Sequence, residues 1–251
     1  VAKPAAESGG IQIDPMHQFE IYPLFNPSGS VGWFTFTNAT LFMWVTVAAV
    51  VLLILAGTRG RAAVPSRLQS VVEMLFELVR DMIRNTAGDD GLRYFPYIFT
   101  LFTFILFANL VGMVPFAFTI TSHFVVTGTL ALAVFVTVTV IAFRKHGLKF
   151  LHFFWPETAP LALRPALCLI ELISYFIRPV SHAIRLGANM IAGHAMLKVF
   201  AGFVPAMGFF GFLPVAMMVG VTALEFLVAF LQAYVFAILT CVYLNDALHM
   251  H

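Results

Sequence analysis

The sequence predicts an all-α integral membrane protein with five membrane-crossing helices and one amphipathic surface helix, the last two crossings long and steeply tilted. Two observations lead there. The 251 residues are 61% hydrophobic and only 10% charged, with a mean hydropathy of +0.93. A soluble domain carries roughly 25% charged residues. The apolar residues are also gathered into runs long enough to cross a hydrocarbon core of about 30 Å.

The elements follow in order along the chain. Residues 1–36 read as an outer N-terminal segment, and its opening VAKPAAESGG lacks the basic-then-apolar pattern of a signal peptide, so the first span is expected to direct insertion. The uncharged stretch 39–57 is that span, and 94–118 and 124–143 are the second and third. Between the first two lies 65–85, in which Leu68, Val71, Val72, Leu75, Phe76, Val79, Met82 and Ile83 recur at helical spacing. Glu73, Glu77, Arg80, Asp81 and Arg84 fall on the other face and rule out a crossing, so this helix should lie on the membrane surface or against a partner. The segments 160–202 and 213–247 are each too long for an upright crossing at 1.5 Å per residue, and Pro179 is a candidate kink. A turn-rich stretch, 202–214, joins them. No repeat or soluble domain interrupts this single membrane domain.

The basic residues set the expected orientation. Arg59, Arg61 and Arg67 follow the first span, and Arg144, Lys145 and Lys149 follow the third. The loops 116–123 and 202–214 contain no Lys or Arg. The N-terminus is therefore expected outside and the C-terminus in the cytoplasm. A formal charge of +2 with no basic run gives no reason to expect a nucleic-acid partner. Cys168 and Cys241 sit in apolar segments and read as buried free thiols. No HExxH, Cys/His cluster, phosphate loop or serine elbow is present, so neither metal, cofactor nor nucleotide chemistry is expected of this chain alone.

Polar residues inside the apolar segments carry the functional signal, because an unpaired ionisable group in lipid is expensive. Glu171, Arg178 and Arg185 are seven apart, nearly two helical turns, and share a stripe. Ser174, Ser181, His182 and Asn189 lie on or beside it, while His194 falls on the opposite face. In the last segment Glu225 and Gln232 again share a face. Arg164 and Arg178 have two readings, snorkelling to the interface or pairing with Glu171. Lys198 reads as a snorkeller and His182 as a hydrogen-bonded interior histidine. Arg185, His194 and Glu225, in mid-segment, are the functional candidates. On these residues alone, a secondary transporter or ion channel working by itself stays open, whereas a purely structural scaffold would not explain the polar stripe.

SHAIRLGANMIAGH (181–194) followed by FLVAFLQAYVFAILTCVYL (226–244) resembles the a subunit of the F-type ATP synthase, with FANLVGMVP (107–115) and DPMHQFEI (14–21) upstream. DPMHQFEI and GHAML are most similar to alphaproteobacterial and mitochondrial members. The resemblance implies a stator subunit, not catalytic alone, beside a ring of proteolipid c subunits, with b-type peripheral-stalk subunits, the rest of the ATP synthase and the lipid bilayer as partners. Its expected place is a bacterial inner membrane, or a mitochondrial one. It implies that Arg185 is the family's essential arginine, facing the ring carboxylates, and that Asn189, His194, Glu225, Gln232 and Glu171 line the proton path. His194 occupies the position where some relatives carry an acid, and Glu225 the position where they carry a histidine. Glu171 matches an acidic position of the cytoplasmic half-channel. Two offset half-channels would meet at Arg185.

Overall fold

The computed structural model describes residues 21–23, 36–59, 66–114, 117–147 and 164–249. Six helices make up almost all of them: α1 Asn38–Thr58, α2 Arg67–Gly91, α3 Phe95–Gly112, α4 Phe124–His146, α5 Arg164–Ala206 and α6 Phe212–Leu248. Apart from one antiparallel bridge between Pro23 and Thr37, the described residues contain no β-structure. Five helical stretches are long and apolar enough to cross a membrane, the second of them formed by α2 and α3 together. Most of the N-terminal segment 1–36, including nearly all of DPMHQFEI, lies outside the described residues, as do Arg61 and Lys149.

Side chains define where the helices begin and bend. Thr37 caps α1 by accepting from the Thr40 amide, and Ser66 caps α2 by accepting from the Gln69 amide. Such caps satisfy amides that the first helical turn leaves unpaired. The amphipathic α2 ends in a kink at Gly88, whose φ of +67° suits only glycine well. A short 3-10 turn, Leu92–Tyr94, then leads into the uncharged α3. Where the sequence suggests a second span to residue 118, α3 stops at Gly112, and the chain folds back through Ile120–Ser122 before α4. The turn expected over 202–214 is also narrower. The helix α5 continues through Pro179 and Pro205 to Ala206, and Met207–Gly211 alone make the turn.

α6 is the hub. It packs against α2, α3, α4 and α5, whereas α1 touches α2 and α3. Ala229, Ala233 and Ala237 recur every fourth residue on α6 and are wholly buried, so neighbouring backbones come close. They pack in the same interior as Phe102, Ile105, Val134 and Phe236. The free thiol Cys241 is buried there, while Cys168 is half-buried.

α5 is built differently. Among its 43 residues only His182, Leu186, Gly187 and Met190 are buried, all toward α4 and α6. Its outward face exposes Ile173, Ile177, Val180 and Ile184. At about 1.5 Å per residue α5 is roughly 65 Å long, and the described residues leave much of its surface uncovered.

The two ends of the bundle differ. At one, Asp90 after α2 lies 3.8 Å from Lys145 of α4 and 3.9 Å from His249 beyond α6. At the other, the α3–α4 connection is tucked in, with Phe118 against Phe42 near the start of α1.

Candidate functional site

Three polar contacts join α5 to α6, one above another. Nearest the charged end, the Arg178 guanidinium donates to Asp246 Oδ2 at 3.1 Å and lies over the rings of Tyr175 and Tyr243. This departs from both sequence readings of Arg178. It neither snorkels nor pairs with Glu171, but answers an acid on another helix. Further along, Asn189 donates from Nδ2 to Gln232 Oε1 at 3.0 Å. Nearest the α3–α4 connection, His194 Nε2 stands 3.6 Å from Glu225 Oε1.

The last pair needs a close approach of helices. A Cβ on Gly193 would stand 2.5 Å from Glu225 Oε1, so the carboxylate occupies space that only glycine leaves open. Glu225 is 5% exposed and its Oε1 makes no hydrogen bond among the described residues. Beside it opens a crevice of about 340 Å³, lined by His194, Glu225, Thr119, Lys198, Thr222 and Gly112 among others. A space of that size and polarity holds several waters. Lys198, a snorkeller by sequence, is half-buried on its wall.

Arg185 sits between the Arg178 and Asn189 contacts along α5, on the same stripe, but takes part in neither. It is exposed and makes no hydrogen bond or ion pair among the described residues. His182, one turn earlier, points inward, packed edge-on against Phe236 and Tyr243. Its Nε2 has no hydrogen-bond partner among the described residues, so the interior placement expected of it is found without the expected bond. Glu171 is half-buried and brought to none of the other candidates. It lies fourteen residues from Arg185 along α5, about 21 Å.

Residues 40–245 match the family described as ATP synthase A chain. The chain belongs to the ATP synthase A chain family. Among its relatives is the ATP synthase subunit a of Dinoroseobacter shibae, 58% identical over 98% of this chain and 99% of that one. That of Paracoccus denitrificans is 54% identical over 97% of both chains. That of Bradyrhizobium diazoefficiens is 53% identical over 95% of this chain and 99% of the other. The F-type ATP synthase membership and the alphaproteobacterial likeness expected from the motifs are thus found over almost the full length.

Two residues at the site were not singled out from sequence. Asn109, inside FANLVGMVP, is fully buried and donates from Nδ2 to the carbonyl of Ala229, between Glu225 and Gln232 on α6. An amide in the middle of an uncharged span was the available signal. Thr119 lies 3.1 Å from His194 Nε2, and a threonine in a turn carries no comparable signal.

Proposed function

We propose that this chain couples proton flow to rotation by two offset half-channels that meet at Arg185 without joining. As a member of the ATP synthase A chain family it belongs to an F-type ATP synthase, and its five apolar helices make it a multi-span inner-membrane protein. The observation that carries the mechanism is the placing of Arg185, an always-charged, exposed group midway along α5 that makes no ion pair among the described residues. A guanidinium in that position costs at least about 2.5 kcal/mol unless an anion meets it. A carboxylate on each subunit of a neighbouring proteolipid ring is that anion.

The two sides of Arg185 have different chemistry. Toward the α3–α4 connection, the crevice with His194 and Glu225 takes protons from outside. Gln232 and Asn189 lead them to a ring carboxylate, which turns into the lipid as a neutral acid. After almost a full rotation the acid meets Arg185 from the other side and loses its proton, by way of Glu171, to the cytoplasm. Basic residues at the Asp90, Lys145 and His249 end support that end as cytoplasmic. Each proton crossing 100 mV releases about 2.3 kcal/mol. The uncovered face of α5 suits the curved wall of the ring, and the charged face of α2 suits b-type stalk subunits.

Purification of the chain from its own membranes tests the reading. A ring of small hairpin proteolipids should come with it, and a cysteine at Ile184 should crosslink to that ring. A chain purified alone that moves protons in liposomes would instead be a self-sufficient transporter.

A further inference from the structure

The α3–α4 connection delivers one hydroxyl to the imidazole of His194. Thr119 is 5% exposed, and its Oγ1 lies 3.1 Å from the Gly112 carbonyl oxygen and 3.1 Å from His194 Nε2. Gly112 ends α3, and its carbonyl is among those that a helix terminus leaves without an intrahelical partner. A Cβ on Gly112 would stand 2.8 Å from Thr119 Cγ2 and 3.1 Å from Oγ1, so a side chain there would drive the loop off the helix end. The loop is further tied by the Ser122 hydroxyl, which donates to the Thr119 carbonyl at 2.6 Å.

A hydroxyl carries a single proton, and a carbonyl can only accept. The Thr119 proton therefore goes to Gly112, leaving the hydroxyl lone pairs for His194. A nitrogen facing those lone pairs has to bear hydrogen. Glu225 Oε1 is 3.6 Å from the same Nε2, so the N–H lies between two acceptors.

We propose that Thr119 is a positioning residue that fixes neutral His194 as the Nε2–H tautomer, so that the ring takes up a proton at Nδ1 and hands one from Nε2 to Glu225. The inference rests on the proton-path reading of His194 and Glu225. An N–H bond forms at Nδ1 with a proton from crevice water, giving the imidazolium. The Nε2–H bond then breaks as an O–H bond forms on the Glu225 carboxylate. The ring is left with its proton on Nδ1; crevice water takes that proton and a crevice water gives one to Nε2, so that the cycle moves one net proton from water to Glu225. The Thr119 acceptor favours that reset. The pair thereby conducts in steps that neither residue performs alone.

Nitrogen-15 NMR of the assembled enzyme in proteoliposomes, made with labelled histidine, tests this directly. The His194 signals are assigned by their loss in the His194→Gln enzyme. At about pH 8.5, well above the ordinary histidine range, the expected ring has a protonated Nε2 and a bare Nδ1. Thr119→Val should give a mixture of tautomers and slow ATP-driven pumping about tenfold, the loss usual when a group that orients a histidine is removed. Thr119→Ser should restore both. Gly112→Ala keeps the hydroxyl but displaces it, and is expected to mix the tautomers if Thr119→Val fails to assemble. A wild-type ring protonated on Nδ1, or a Thr119→Val ring that stays Nε2–H, overturns the inference. Normal pumping by His194→Gln would remove the proton-path reading instead, and the tautomer result would stand apart from it.

Discussion

Asn189 and Gln232 are joined by one hydrogen bond of 3.0 Å, Nδ2 to Oε1, that ties α5 to α6 a single turn beyond Arg185. Each amide holds the other, so substitutions should not act independently. Asn189→Ala and Gln232→Ala are each expected to slow ATP-driven proton pumping about tenfold, roughly 1.4 kcal/mol. The double substitution should pump within about twofold of the slower single one. Losses that multiply would show that the two amides serve the path separately.

Arg185 should be both partner and barrier. At an effective dielectric of about 20, it attracts a carboxylate 4 Å away by about 4 kcal/mol, and its fixed charge repels protons hopping straight between the half-channels. Arg185→Ala is expected to abolish synthesis and pumping and to open a passive proton leak. Arg185→Lys should keep much of the barrier without normal turnover, because a compact ammonium lacks the planar fork. Assembled Arg185→Ala enzyme making ATP at the normal rate would exclude this role.

His194 and Glu225, 3.6 Å apart, should behave as an exchangeable pair. Glu225→Ala is expected to slow proton entry strongly in an enzyme that still assembles. Glu225→His combined with His194→Glu should retain more pumping than either change alone. Equal activity of all three variants would argue against pairing.

Gly193 should act through space. Its missing Cβ would lie 2.5 Å from Glu225 Oε1 and 3.0 Å from Cδ, at the free end of a flexible side chain. The carboxylate can move, so Gly193→Ala is expected to assemble normally and pump several-fold more slowly. Adding Glu225→Asp withdraws the carboxylate by about one methylene and should recover part of the loss, measured as pumping per assembled complex. No recovery would place the defect in helix packing.

Ser66, the exposed N-cap of α2, and Arg84, exposed within it, test the orientation. Cysteines at either position should react with an impermeant thiol reagent added from the cytoplasmic side. Reaction only from the periplasm would invert the whole arrangement.

Membrane insertion, the number of crossings and the two-faced character of α2 were legible in the sequence, because they depend on local hydropathy and helical period. Arg185, Asn189, His194, Glu225 and Gln232 stand out in it as isolated polar groups in apolar runs. Which of them meet was decided only by tertiary packing. Arg178 finds Asp246 68 residues away, and Thr119 finds His194 75 residues away. Periodicity says which residues share a helix face, but lipid and protein interior are equally apolar, so it cannot say which apolar face turns inward. α5 and α6 are both long and mostly apolar, yet α6 packs against four helices while only four residues of α5 are buried. That difference comes from small residues such as Ala233 and Gly193, whose missing volume sets how closely helices pass and hence which polar side chains come within reach.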